Sequence, residues 1–202
     1  MNQLSSPESL SLPKTARGRR TREKILSAAE HVFGELGYER ASIVEITQRA
    51  SVAQGSFYTY FPNKQAAFTE LVLSLSDGLR AAVTEAVSGE TSRLAAERQS
   101  LVAFFKFILE HKALYRIVRQ AEFVDEALYR DYYRRIAQAY ARGLRQAVEA
   151  EELADLDVDT VAWSLMGMAD FLGMRWVLWE DQLPPDSVID TAMRFLRDGL
   201  AR

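Results

Sequence analysis

Gln54, Ser56, Tyr58, Thr59 and Tyr60 place five hydrogen-bonding side chains within seven residues, and Phe57 and Phe61 interrupt them four residues apart. Positions four apart share a helix face. The two phenylalanines therefore turn inward and fix the tilt of a short helix, leaving the polar side chains outward or at its edge. The chemistry on offer is hydrogen bonding. A DNA major groove, about 12 Å wide, admits one helix, and a short, rigid helix with such side chains suits it. Lys64 stands at the mouth of the helix that follows.

The flanks must hold this segment in place. Ile25, Ala28, Ala29, Val32, Phe33 and Leu36 follow an i, i+3, i+4 series that defines one helical face, and Gly37 ends it. Thr21 is the expected N-cap, with Glu23 in the first turn complementing the helix dipole. A second helix is predicted from Ser42, whose capping-box partner Glu45 stands three residues on, to Ala50. Its inward residues are Ile43, Ile46 and Ala50. Three helices in this span, the last two joined by a tight turn, make a helix-turn-helix module.

Residues 21 to 68 resemble the N-terminal domain of TetR-type transcriptional repressors. The resemblance rests on Ile25–Leu36 with Gly37, Ser42-x-x-x-Ile46, Ala50-x-Val52, Gly55-Ser56-Phe57-Tyr58-x-Tyr60-Phe61 and Asn63-Lys64-x-x-x-Phe68. It implies that Tyr58 and Lys64 grip phosphates, while Gln54, Ser56, Thr59 and Tyr60 meet base edges or nearby phosphates. Thr21 and Ser42 are expected to add phosphate contacts, since phosphate contacts position and base contacts specify. Two positions depart from the family pattern. Ser51 replaces the usual turn glycine, and Ala53 the serine that often caps the recognition helix. A serine at positive φ carries a steric cost that glycine avoids, so a less rigid recognition helix is expected.

The net charge of −3 conceals an asymmetry. Residues 1–64 hold nine Lys or Arg against six Glu, giving +3, and residues 65–202 hold sixteen against twenty-two acids, giving −6. Lys14, Arg17, Arg19, Arg20, Arg22 and Lys24 form a basic arm expected to lie along phosphates or in a narrow minor groove; a solvated tail is the alternative. Residues 1–16 read as a disordered tail, with neither the basic start nor the apolar core of a signal peptide. The absence of cysteine removes disulfide and thiolate chemistry and suits a cytoplasmic setting. Val161–Trp179 approaches membrane-spanning length, but Asp170 and Arg175 would each cost about 2.5–3.5 kcal/mol near a bilayer centre. A buried helix is the better reading, with no membrane partner.

Beyond Phe68 the sequence predicts helices at 63–88, 93–110, 112–121, 125–151, 157–180 and 186–201. The fold class is therefore all-α: a three-helix helix-turn-helix DNA-binding domain at 17–65 and a larger helical domain at 66–202. The resemblance implies that the latter binds an effector and dimerises. Apolar residues nearly encircle the 157–180 helix, so it needs cover on several sides. Gly167 and Gly173 permit close approach, and Val188, Ile189, Ala192, Phe195 and Leu196 give the last helix its own stripe. A two-fold bundle would bury both helices; ordinary monomer core is the alternative. An apolar cavity is expected to draw on Phe104, Phe105, Ile108, Leu109, Tyr115, Val118, Phe123, Tyr132, Tyr133, Tyr140 and Trp163. Arg119, Asp170 and Arg175 are its polar candidates. Tyr129–Arg135 mixes aromatics with cations and reads either as a surface for an anionic, partly apolar molecule or as a solvated ion-paired face. This half also resembles TetR-type regulators of fatty-acid or aromatic-acid degradation, some of which bind acyl-CoA thioesters.

Only His31 and His111 could join carboxylates around a metal, and they lie far apart in sequence. No phosphate loop, nucleophile elbow or His-Glu-x-x-His occurs, so neither cofactor nor enzymatic activity is expected. With the resemblance, the expectation is a homodimeric repressor that leaves its operator on binding a small apolar or acyl-type effector. A dimeric helical ligand-binding or interaction protein that no longer reads an operator is the alternative.

Overall fold

The computed structural model describes residues 13–200. Among the described residues every regular element is helical: α1 (Ala16–Leu36), α2 (Ile43–Arg49), α3 (Gln54–Tyr58), α4 (Lys64–Ala86), α5 (Arg93–Glu110), α6 (Ala113–Val124), α7 (Glu126–Glu149), α8 (Val158–Gly173), a π-helical continuation of α8 (Met174–Trp179), and α9 (Asp186–Leu200). The chain divides into two compact units between Leu71 and Val72. One continuous helix, α4, begins in the first and ends in the second.

In the first unit, α1 buries Ile25, Ala29, Val32 and Phe33, the face that its periodicity predicts. Its start differs from the expectation. Thr15 is the N-cap, its hydroxyl accepting from Gly18 N at 3.0 Å, while Thr21 lies inside the helix and donates to Arg17 O at 3.0 Å. Arg and Lys are good helix formers, so the basic run extends the helix back to Ala16. What read as an arm is helix from Ala16 onward. Of the expected tail, residues 1–12 lie outside the described residues, and Thr15 already belongs to the cap.

Gly37, at φ 80°, ends α1 as expected. The Ser42–Glu45 capping box opens α2: Ser42 N donates to Glu45 Oε2 at 2.8 Å, and Glu45 N to Ser42 Oγ at 3.2 Å. Ile46 and Ala50 are buried, whereas Ile43 is only half-buried and Thr47 takes an inward place. Thr47 can do so because its hydroxyl donates to Ile43 O and Val44 O. Phe68 packs edge-on against both Phe33 and Tyr38 in the middle of this unit, with Phe33 to Phe68 at 5.2 Å between ring centres, and Phe33 and Tyr38 are stacked on each other.

In the second unit α7 packs on α6 and α8, and α5 on α9. Ala141, Leu144 and Ala147 of α7 meet Ala162 and Leu165 of α8 and Leu196 of α9 in one buried cluster. The six predicted helices are present, but the 157–180 helix changes character at Gly173, where the wider π turn begins. Gly173 is buried, and a Cβ there would stand 2.5 Å from Tyr115 Oη and 2.7 Å from Ile108 Cδ1, so the close approach expected of it occurs within the chain. At Gly167 a Cβ would meet nothing within 4 Å. Among the described residues no helix is long and apolar enough to cross a membrane.

Candidate DNA interface and ligand cavity

The recognition segment is a five-residue helix, α3, too short to hold itself together in water. Its anchors are Phe57 and Phe61, both buried, with ring centres 5.4 Å apart. This arrangement leaves Gln54, Tyr58 and Thr59 exposed and Ser56 and Tyr60 half-buried. The five side chains named from sequence thus share one short stretch around the inward phenylalanines.

Both departures from the family pattern are visible here. Ser51 turns at φ 54°, and Ala53, in extended geometry at the head of α3, offers no side-chain cap. Left-handed backbone costs a non-glycine residue about 1–2 kcal/mol, and the extra chain entropy of glycine returns about 0.5–1 of that. Ser51→Gly is therefore expected to raise stability by roughly 0.5–1 kcal/mol, and Ala53→Ser by roughly 0.5–2 kcal/mol. Urea melts of the two variants and their double mutant check both figures.

The cations differ in how free they are. Arg22 pairs with Glu70 at 2.5 Å and lies 5.5 Å over the Phe61 ring, and Arg49 pairs with Glu35 at 2.9 Å. Arg19 donates to Lys14 O at 3.2 Å while remaining exposed. Arg17, Arg20 and Lys24 are exposed at i, i+3, i+7 on α1, along one helical face. The first turn of α1 lies beside the end of α3: a Cβ at Gly18 would be 3.6 Å from Tyr60 Oη. Three of the expected phosphate contacts are engaged elsewhere, the Thr21 hydroxyl with Arg17 O as described above. The Ser42 hydroxyl donates to Glu45 Oε2 at 2.7 Å. Lys64 Nζ donates to Tyr38 O at 2.7 Å, Ala41 O at 3.0 Å and Glu39 O at 3.3 Å.

The second unit contains a cavity of about 610 Å³ between residues of α4, α5, α6, α7, α8 and α9. Tyr115, Arg119, Tyr133 and Asp170, all named from sequence, line it, together with Phe104, Ile108, Val118, Tyr132 and Tyr140. Five other expected residues do not, the first being Leu109, half-buried next to Ile108 on α5. Phe105, one place from Phe104, points into the core and is fully buried. Phe123, near the end of α6, is 87% exposed. Trp163 lies on the outer side of α8, its ring 6.4 Å from that of Tyr133. Arg175, in the π segment, is exposed and lies over Trp176. On a helix one residue's displacement rotates a side chain by about 100°, so aromatic content alone does not separate the cavity wall from the core behind it.

Sequence reasoning missed the buried acid Glu97. It pairs with Arg93 and accepts from the Tyr140 hydroxyl, and all three line the cavity. The Arg93–Glu97 spacing of four was a usable signal, but the Tyr140 partner, on α7, was not. Burial, and after it the Glu97 charge, holds the Tyr140 phenol well above its ordinary range. Burial likewise raises the phenols of Tyr115, Tyr132 and Tyr133, which stay neutral donors. In the Tyr129–Arg135 run, Arg130 pairs with Glu126 and Arg135 with Asp131 on the outside, while Tyr132 and Tyr133 line the cavity.

Desolvation raises the Asp170 carboxyl above its ordinary value, and the nearby Arg119 only partly opposes this. Arg119 Nη2 is instead turned onto Met174 Sδ at 3.2 Å. A carboxyl raised in the folded state binds its proton more readily there than in the unfolded chain. Its ionisation cost is present above the folded value and disappears as pH falls toward the unfolded value of 3.8. Asp170→Asn is expected to raise the melting temperature at pH 7, with the gain shrinking toward pH 4. Melting curves across that range check it.

A helix-turn-helix in one unit and an aromatic cavity in the other define a DNA-binding regulator with a separate ligand-binding body. The chain matches the family model of bacterial regulatory proteins of the tetR family over residues 25–71, and the C-terminal model of BetI-type transcriptional repressors over residues 112–201. It is 29% identical to the HTH-type transcriptional regulator YdgC of Bacillus subtilis over 173 residues, 81% of this chain and 84% of that protein. It is 28% identical to the HTH-type transcriptional regulator TtgR of Pseudomonas putida over 199 residues, 88% of this chain and 91% of that protein. The solved structure of the fatty acid degradation regulator FadR from Bacillus halodurans has the same fold, with a TM-score of 0.78 at 18% identity, covering 91% of this chain and 96% of that one. The chain belongs to the TetR family of transcriptional regulators. Proteins of this family bind DNA operators, form homodimers and respond to small molecules.

Proposed function

We propose that the protein is a cytoplasmic, non-enzymatic repressor that leaves its operator when an apolar or acyl-type effector fills the cavity. One observation carries this reading. The helix α4 starts at Lys64, directly after the recognition segment, and its later residues Leu79, Arg80, Val83 and Thr84 line the cavity. A ligand wedged among these residues works on the same rigid element that positions α3. Two recognition helices must stand about 34–36 Å apart to enter successive grooves, so a shift of α4 favours the free state by changing that spacing.

The cavity lining supports the ligand class. Its wall is largely aromatic and aliphatic, and the exposed Arg119 and Arg142 among its lining residues suit an anionic head group, with the apolar tail inside. On the DNA side, Gln54, Ser56, Thr59 and Tyr60 read bases, while Tyr58 and the α1 face of Arg17, Arg20 and Lys24 bind phosphates. The dimer forms through α8 and α9, where Trp163 (46% exposed), Phe171 (66%) and Phe195 (75%) stand uncovered on one subunit. Trp163, Gly167 and Phe171 follow at four-residue steps, and the bare Gly167 between the two rings leaves room for a partner helix.

The test is a ligand screen by melting temperature, followed by operator titrations with and without each stabilising ligand. A ligand that stabilises the protein and weakens operator binding supports release; one that saturates the cavity and leaves operator affinity unchanged contradicts it.

A further inference from the structure

Lys64 occupies the position at which the family resemblance implies a phosphate contact, and the structure gives it other work. An ammonium group has three N–H donors and no acceptor. All three are directed at backbone carbonyls: Tyr38 O at 2.7 Å, Ala41 O at 3.0 Å and Glu39 O at 3.3 Å. The cation also stands 4.3 Å over the Tyr38 ring, and the side chain is half-buried. Binding a phosphate would require it to abandon this set.

The three carbonyls belong to the loop between α1 and α2. That loop runs directly into Ser42, whose capping box starts α2. We propose that Lys64 is a clip that fastens the start of α4 to the α1–α2 loop, and so acts in operator binding as a positioning residue rather than as a phosphate contact. The clip accounts for how α3 keeps its place. With five residues and no side-chain cap, α3 takes its position from the elements before and after it, α2 and α4. Lys64 ties the starts of those two together, so a displacement of α4 is carried into α2 as well as into α3. This role rests on the operator-binding reading above.

The geometry of the acceptors separates the two roles. A planar guanidinium binds a phosphate at least as well as an ammonium does, but it does not match three carbonyls converging on one atom. The experiment uses full-length protein and a duplex that the wild-type chain selects from a random pool, titrated across a salt series with Lys64→Arg and Lys64→Met. The clip predicts that both variants lose at least about tenfold in affinity while the slope of log K against log salt stays at its wild-type value. A phosphate contact predicts wild-type affinity for Lys64→Arg, and for Lys64→Met a slope reduced by about one phosphate's share; that pattern overturns the proposal. A second measurement needs no variant. In wild-type protein with ¹⁵N-labelled lysine, the Lys64 ammonium protons are expected to be protected from solvent exchange both free and on the duplex. A through-hydrogen-bond coupling from Nζ to ³¹P in the complex also overturns it. Failure of the wild-type chain to select any duplex would sink the operator-binding reading itself, and the protection measured in free protein would still decide whether the clip exists.

Discussion

Phe57→Ala is expected to abolish operator binding while leaving the ligand-binding unit folded. Phe57 has no exposed surface and packs against Phe61 and Tyr58. Removing a fully buried phenylalanine costs about 3–5 kcal/mol, a large share of a typical stability of about 5–15 kcal/mol. The loss falls on a helix with no reserve of its own, since α3 has five residues and no side-chain cap. Because the chain forms two compact units, the cavity-bearing part should keep its own melting transition. Operator titration together with calorimetry checks both halves of the expectation. Unchanged operator affinity would show that Phe57 does not anchor the reading surface.

Phe171→Arg is expected to leave a folded monomer that binds its operator at least about 100-fold more weakly. The ring is 66% exposed on the single subunit, so a substitution there costs the monomer little. In a dimer the same ring would lie buried, and a charge buried without a partner is strongly unfavourable. Operator affinity falls with the dimer because joining two half-site readers raises the affinity of the pair by about 10²–10⁴ over either alone. Sedimentation equilibrium gives the association state and anisotropy the affinity. A dimer that persists with Phe171→Arg places the interface on another face.

The helix-turn-helix was legible because its signals are local. The Ser42–Glu45 box, Gly37, and the Phe57 and Phe61 pair each act within a few residues, and each stands where its chemistry predicts. The N-terminal boundary was misread because Thr21 is chemically a good cap, yet nothing between Thr15 and Thr21 breaks a helix strongly enough to make it one. In the ligand-binding unit, helix existence was legible from apolar periodicity, but facing was not. Phe104 lines the cavity and Phe105 the core, and their types are the same. Contacts between distant helices, such as Tyr140 with Glu97 or Lys64 with the Tyr38–Ala41 loop, carry no signal at any fixed spacing. The π turn at Met174–Trp179 was equally hidden, since its residues are apolar enough to continue an α-helix.

The central claim is that this chain reads a specific DNA sequence, and one titration tests it most directly. Duplexes selected from a random pool by the full-length protein are compared by fluorescence anisotropy with scrambled duplexes of the same composition, across a salt series. The account predicts a preference of about 10³-fold or more for the selected duplex, with steep salt dependence from phosphate contacts. Equal, weak binding to both would contradict it, leaving a helical ligand-binding protein whose helix-turn-helix does not read DNA.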